Sequence, residues 1–495
     1  MDEHPTPRPA PGSPASPASP GTTDDEYVAD PRRWRILGVN LVVGFMSLLD
    51  VTVVNVALPS MREALGTSTS TVQWVVSGYA LTFGLTLVAG GRLGDAYGRR
   101  RLMALGLLGF MASSVLVGLA PNVETVILAR LLQGASAGLL TPQNTGLIQD
   151  LFRGPERGRA FGMFGVTVAT ASALGPVIGG LIIALAGEED GWRWLFWINV
   201  PIGLAALIGI LRLTPGRRGE GRPWIDVVGA VLLGLTVLTV LWPMVLAEGG
   251  SRLPLLLIPL AVPLGWAFVR WEARLGRIGR PPLLEVGLLR QVPGYADGLV
   301  IGTLYFTGFT GIFLVLSVHL QEHLGLSPLE AGLLITPFAV GSGVTSPVAG
   351  RLVSRIGRRI TVWALVMMMS GIVLVALLAP GREGTSLAMV LVPCLLLAGI
   401  GAGGVISPNF TLTLADVPPV MGGAAGGAVQ TGQRIGTAFG AALLMTAYGT
   451  GSATSAAVGL RAALVTALVL LSLALVVAVR SARAEHAGPG GQPTR

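Results

Sequence analysis

Uninterrupted apolar runs of about 18 to 25 residues recur from one end of this chain to the other, and a helix of that length, rising 1.5 Å per residue, crosses a hydrocarbon layer ~30 Å thick. In lipid every backbone amide and carbonyl must be bonded within its own segment, so the runs are expected to be helices. Their limits fall at 36–59, 72–91, 102–120, 123–147, 160–185, 194–212, 226–246, 253–270, 294–319, 329–350, 360–379, 386–410, 423–448 and 459–479. The expectation is an all-α membrane protein of about 14 transmembrane helices. The 70 glycines, with only 12% of residues charged, suit helices that pack by close backbone approach, since lipid gives them no hydrophobic drive to associate.

All 34 basic residues are arginine, and the net charge of +8 raises the question of a nucleic-acid partner. Placement answers it. Counted with the terminal Arg212 and Arg270 of runs 6 and 8, the loops joining runs 2 and 3, 4 and 5, 6 and 7, 8 and 9, and 10 and 11 carry 4, 3, 4, 5 and 4 arginines, whereas the opposite connections carry only Arg62, Arg193, Arg252, Arg382 and Arg461. The positive-inside bias puts the rich loops, and both termini, in the cytoplasm. Orientation accounts for the arginines without nucleic acid. Residues 1–33, containing HPTPRPAPGSPASPASPG, read as a disordered cytoplasmic tail rather than a secretory signal, and 481–495 as a second cytoplasmic tail. Cys394 stands alone, four histidines show no ligand spacing, and a chain without lysine has no Walker-type phosphate loop. Neither an enzyme, a metal site, a cofactor nor ATP-driven transport is expected.

Sliding the chain by 259 residues sets MREALGTS (61–68) on LQEHLGLS (320–327) and GRLGDAYGRR (91–100) on GRLVSRIGRR (350–359), with 13 identities in the 40 residues from 61 to 100. One offset thus joins an outer loop, a whole run and an inner loop. The chain divides into a six-helix half over 34–213 and a second over 281–480, two pseudo-symmetric bundles. Residues 214–280 are an inserted hairpin of runs 7 and 8, jointed by GRRGEGRPW (216–224) and RLGRIGRPP (274–282). Two like-oriented halves about a central axis suit alternating access to a site between them.

Four motifs carry a family resemblance: LLDVTVVNVALP (48–59), GRLGDAYGRR, LARLLQGASAG (128–138) and GVTVATASALGPVIGG (165–180). Together they closely resemble the major facilitator superfamily. The first of them, GWRWLFWINVPIG (191–203) and the inserted pair resemble its fourteen-span drug/proton antiporter family, over about 34–480.

Asp50 is the most telling single residue. Helix 1 enters near Ile36, so Asp50 lies ~21 Å in, or ~10 Å from the outer edge; Arg130, seven residues into helix 4 from outside, reaches the same depth. An unpaired ion in hydrocarbon costs roughly 2.5 to 3.5 kcal/mol, so both should face protein or a wet cavity. Asn40, Ser47 and Asp50 share one face of helix 1, with Thr52 and Asn55 on a second. Two readings stand side by side: a fixed pair holding helices 1 and 4 together, and an acid whose proton affinity shifts with hydration and pairing, as proton coupling demands. The resemblance implies the second. Phe309 holds the repeat-equivalent position, so the acid is confined to the first half.

In GRLGDAYGRR, Gly91 and Gly98 allow close backbone approach, Asp95 is expected to serve the free amides at the start of helix 3, and Arg99 and Arg100 are expected to stay in the cytoplasm. The resemblance implies a latch there, weaker in the second copy, where Ser354 replaces the acid. Small residues at Gly165, Ala169 and Ala173, continuing to Gly175, Pro176, Gly179 and Gly180, predict intimate packing and a loosened helix at the proline. The resemblance implies an exporter from that Gly-Pro form. Candidate cavity residues are Asn55, Trp74, Tyr79, Gln133 and Arg434, the last with capping of broken-helix carbonyls as an equal reading. His319 and His323 read as headgroup contacts.

The sequence is therefore expected to encode a proton-coupled secondary transporter exporting a small amphipathic organic compound. Proton-driven uptake through the same charges is the alternative, and a membrane sensor on a transporter fold a second. Expected partners are the substrate, protons and the lipid bilayer, with a monomeric protein. Arginine, alanine and glycine richness suits a GC-rich bacterium and its cytoplasmic membrane.

Overall fold

The computed structural model describes residues 29–187, 189–216, 226–248, 253–280 and 282–487. Residues 1–28, the joint beyond Gly216 and the chain after Ala487 lie outside the described residues, as do the side chains of Asn55, Ala173 and Pro176. All regular structure described is helical: α1 (Arg33–Ala64), α2 (Thr69–Tyr97), α3 (Arg99–Gly118), α4 (Val123–Leu151), α5 (Gly154–Ala186), α6 (Gly191–Trp197), α7 (Asn199–Leu213), α8 (Val227–Glu248), α9 (Ala261–Arg277), α10 (Leu288–Gln291), α11 (Tyr295–Val318), α12 (Pro328–Ile356), α13 (Arg359–Leu378), α14 (Gly384–Thr413), α15 (Gly422–Ser452) and α16 (Ala456–Ala487).

Local chemistry starts and stops these helices. Ser68 caps α2 by accepting from Thr71 N at 3.1 Å, Asn122 caps α4 by accepting from Thr125 N at 3.0 Å, and Ser327 with Glu330 forms a capping box on α12. Gly98 separates α2 from α3 with a φ of +94°, where a β-carbon would be strained.

Among the described residues twelve helices are long and apolar enough to cross a membrane, thirteen when α5 is counted as one bent span. Its axis turns by 41° between Gly154–Ser172 and Val177–Ala186. The run expected at 423–448 is the 31-residue helix α15, which falls short in hydropathy because glycines and Gln430, Thr431, Gln433 and Arg434 dilute its apolar residues. It is instead enclosed by protein, with Gly422 to Thr431 buried throughout. Two other runs depart from a single expected helix. Run 6 breaks at Ile198 between α6 and α7, since Pro201 has no N–H to offer the carbonyl of Trp197. Run 8 opens as a 3₁₀ segment, Leu253–Leu260, before α9, and Pro259 and Pro263 withhold the amides that an α-helix begun at Leu253 would need.

Helices α1–α7 form one bundle and α11–α16 the other, with α8 and α9 as a hairpin laid on α2 and α15. The second bundle has its own apolar core around Tyr305, Met368, Leu395 and Leu464. A different cluster crosses the seam, joining Phe161 and Phe164 of α5 to Phe410, Leu414 and Ala425. The closest backbone approaches between the halves gather at the arginine-rich end. A β-carbon on Gly91 would collide with the carbonyl of Gly423, one on Gly158 with that of Gly350, and one on Gly162 with the backbone of Pro347. Leu87 meets Gly427 in the same way. On the hairpin, Leu256, Val262 and Trp266 are left exposed, the face a lipid-bathed helix presents.

Candidate functional site

Asp50 and Arg130 meet inside the first bundle, where both are buried at 3% and 0% exposure. Arg130 Nη1 donates to Asp50 Oδ2 at 2.5 Å and to Gln133 Oε1 at 2.7 Å, while its Nε donates to the Val75 carbonyl at 2.8 Å. Gln133 Nε2 and Asn199 Nδ2 each donate to Asp50 Oδ1 at 3.0 Å, and both also reach Ser114 Oγ, at 2.8 and 3.3 Å. A carboxylate out of water needs such partners, because no solvent compensates for a missing one. Four helices, α1, α3, α4 and α7, thus converge on one anion.

The cluster is linked to the opposite half through aromatic rings. The guanidinium of Arg130 lies 4.3 Å from the centre of the Tyr79 ring, which stacks on Phe83 with centroids 5.9 Å apart. Arg434, from α15 across the seam, places its guanidinium 4.6 Å from the Phe83 ring. Cations over ring faces are attracted by the ring quadrupole, more strongly where water is scarce. Asp50, Arg130, Tyr79, Phe83 and Arg434 therefore form one contiguous path between bundles.

The other expected cavity residues separate. Gln133 belongs to the charge cluster, and Trp74 turns to the hairpin, its ring centroid 5.2 Å from that of Trp242. Asn199 and Ser114 were not among the residues expected at the site. For Asn199 the available signal was its neighbour Pro201, which breaks the helix; Ser114 in an apolar run gives none. Asn199→Ala removes one donor from a buried charge, and a loss of about 1.5–3 kcal/mol in unfolding free energy is expected in a denaturant titration. An unchanged midpoint and slope would show that Asn199 does not hold Asp50.

The loop after α2 differs from expectation in two respects. Asp95 does not serve the start of α3. It sits in the last turn of α2 and caps α15, Oδ1 accepting from Gly423 N at 3.1 Å and Oδ2 from Ala424 N at 2.9 Å, because the free amides abutting this turn belong to α15. Arg99, expected in the cytoplasm, is buried at 8% exposure. It bridges Asp95 at 2.8 Å and Asp150 at 2.7 Å, and donates to the Pro419 carbonyl at 3.0 Å. Arg100 donates to the Leu211 carbonyl.

In the second copy Ser354 stands at the acid's position, and Glu485 of α16 accepts from Arg358 N at 3.0 Å instead. The Ser354 hydroxyl turns back to the Arg351 carbonyl at 3.4 Å, while buried Arg358 donates to Asn409 Oδ1 at 2.8 Å. In the Gly-Pro stretch, Gly165 lies against Ser346, and Gly175 against Thr52, whose hydroxyl donates to the Ala171 carbonyl at 3.2 Å; Gly179 is buried, and Gly180 has open space beside it. His319, expected at the headgroups, is buried at 5% exposure, with Nδ1 3.3 Å from the Tyr448 hydroxyl; His323 is exposed.

The two halves also differ in chemistry at matched positions. Gly134 packs on the carbonyl of Tyr79, and Gly399 packs likewise on that of Phe338. The helices α4 and α14 therefore correspond at an offset of 265, and Leu395 and Ala398 stand where the first half has Arg130 and Gln133. Phe309, Phe338, Leu395 and Ala398 line a small apolar void in the second bundle. A polar cluster in one half thus corresponds to an apolar one at the matched positions of the other.

Comparisons with known proteins agree with this architecture. The profile of the Major Facilitator Superfamily matches residues 41–288 and 298–494. The chain is 40% identical over 429 residues to the "Probable actinorhodin transporter" of Streptomyces coelicolor, covering 84% of this chain and 72% of that one. It is 39% identical to the puromycin resistance protein pur8 of Streptomyces alboniger (84% and 82%), and 32% identical to the multidrug efflux pump LfrA of Mycolicibacterium smegmatis (84% and 81%). Among solved structures, the human organic anion transporter MFSD10 superposes with a TM-score of 0.66 at 18% identity, over 91% of this chain and all of that one. The proton:xylose symporter XylE does so at 0.64 and 16% identity, over 90% and 94%. Two six-helix bundles meeting along a glycine-lined seam, and a family profile matched along nearly the whole sequence, have one reading: the chain is a multi-pass membrane transporter and belongs to the major facilitator superfamily.

Proposed function

We propose that this protein exports a small amphipathic organic compound in exchange for protons, with Asp50 as the proton carrier. The observation that carries the reading is the enclosure of that carboxylate by Arg130 and Gln133 of α4 and Asn199 of α7, joined through Tyr79 and Phe83 to Arg434 of the opposite half. A rocking of the halves changes what Arg434 and Phe83 press upon, and with it the pairing and hydration of Asp50. Those are the quantities that decide whether a carboxyl group keeps its proton.

Export is supported by the relatives, whose names are those of an antibiotic transporter, a resistance protein and a multidrug efflux pump. The side chains favour a neutral or anionic compound over a divalent cation, since Arg434 is the charged residue that α15 brings to the seam and the one acid of the cluster is already paired. The arginine-rich loops support cytoplasmic termini, and the bacterial relatives support a bacterial cytoplasmic membrane, in which this reading has the protein act as a monomer. The chain is then closed on its cytoplasmic side, with Asp95 and Arg99 as the latch.

The test uses inverted membrane vesicles carrying an imposed proton gradient, challenged with a panel of amphipathic compounds. Wild-type protein should dissipate the gradient with at least one of them, and Asp50→Asn should not. If no compound releases protons, or the variant matches wild type, the reading fails.

A further inference from the structure

A second pair of ionisable groups lies well away from Asp50, at the foot of the hairpin. Asp226 precedes α8 and Glu272 lies in the last turns of α9, each buried at 2% exposure. Asp226 looks at first like an ordinary helix cap: its Oδ1 accepts from Gly229 N at 2.8 Å, and both its oxygens lie 3.0 Å from the indole N–H of Trp271. Glu272 does not fit so plain a role. Its Oε2 accepts from Leu284 N at 3.2 Å, while its Oε1 has no hydrogen-bond partner among the described residues. That unpartnered oxygen is aimed at Asp226. A β-carbon added to Gly229 would strike Asp226 Oδ2 and Glu272 Oε1 together, so a glycine is what leaves room for the two to converge.

Among the described residues neither carboxyl group makes an ion pair; α2 and α15 bring Val88 and Ala428 to this corner, α9 adds Phe268 and Trp271, and the linker adds Leu283 and Leu284. Two carboxylates in apolar surroundings at this range cannot both stay ionised. One proton on Glu272 Oε1 turns the orphan acceptor into a donor to Asp226 Oδ2, and resolves the repulsion and the missing hydrogen bond at once.

We propose that Asp226 and Glu272 form a second proton-binding site, one proton shared between two carboxyl groups, separate from the Asp50 cluster and from the path between the halves. The site binds together the start of α8, the end of α9 and the linker leading into α10 and α11. It sits where the hairpin touches both α2 and α15, so its proton fastens the hairpin to the two helices that meet across the seam.

The experiment is infrared spectroscopy of the purified full-length protein in the region of the protonated-carboxyl C=O stretch, in an Asp50→Asn background so that Asp50 contributes nothing. A band is expected there at neutral pH, and Glu272→Gln, which keeps a donor for Asp226, should abolish that component while leaving the protein folded. Retention of every band in Glu272→Gln overturns the proposal. Should that variant not fold, Asp226→Asn replaces the acceptor of the shared proton and must shift or remove the same band; an identical spectrum overturns the proposal equally. Because Asp50 is neutralised throughout, neither result depends on whether Asp50 carries the transported proton.

Discussion

Arg130→Met is expected to destabilise the folded protein by about 3–5 kcal/mol, and Asp50→Asn introduced beside it should return most of that loss. The reason lies in the asymmetry of buried ion pairs. Methionine fills much of the arginine's volume but leaves the Asp50 carboxylate with the amide donors of Gln133 and Asn199 and no cation within the bundle's low-dielectric interior. Asparagine at 50 carries no charge to compensate, so the double variant meets only the cost of altered hydrogen bonding. Denaturation of the two single variants and the double, as a double-mutant cycle, should give a coupling energy well above the 0.2–1 kcal/mol of an exposed pair. Strictly additive losses would mean that the two side chains do not sense each other. The double variant should still fail to exchange protons for substrate, which separates the pair's structural part from its part in transport.

The depth of these two residues was legible because helix rise is fixed: counting from each end of the membrane put Asp50 and Arg130 at one level before any packing was known. Gln133 was within reach of the same arithmetic, three residues after Arg130 and hence on its face of α4. The contribution of Asn199 was not, since it depends on a break at Ile198 that brings α7 against α1 and α3. The partners of Asp95 were out of reach for a different reason. The acid and the amides of Gly423 and Ala424 are more than three hundred residues apart in the chain, and an acid four residues before an arginine cluster looks the same whichever helix it caps. The repeat at offset 259 described α2 and α12 well, yet α4 and α14 match at 265, because six more residues separate Phe338 from Gly399 than separate Tyr79 from Gly134. Hydropathy likewise identified helices that face lipid more readily than α15, whose buried glycines and amides are read as polar when the partner helices are unknown. Local periodicity and membrane depth are properties of single segments; caps and seams belong to pairs.

Gly91→Ala combined with Gly350→Ala should drive the two halves apart at the arginine-rich end. Each glycine lies where a β-carbon meets backbone of the opposite half, Gly91 against Gly423 and Gly350 against Gly158, so neither clash can be relieved by turning a side chain. Overpacking of this kind costs about 1–3 kcal/mol per site. Here the cost falls on the closed arrangement alone, because the contacts disappear once the halves separate. A bias of that size on a two-state equilibrium changes the population ratio by roughly 5- to 150-fold. Spin labels on cysteines introduced across the seam at exposed positions would report it as a longer distance distribution; Cys394, the one native cysteine, is replaced by alanine first. The two substitutions lie on opposite edges of the seam, one at α2 with α15 and the other at α12 with α5, so each alone should open its own edge less than the pair opens both. Asp95→Asn should add to the effect by removing the charge that caps α15 and pairs with Arg99. An unchanged distance in the double glycine variant would mean that the close approach at these glycines does not decide which side of the transporter is shut, and the latch would then have to be sought in the charged residues alone.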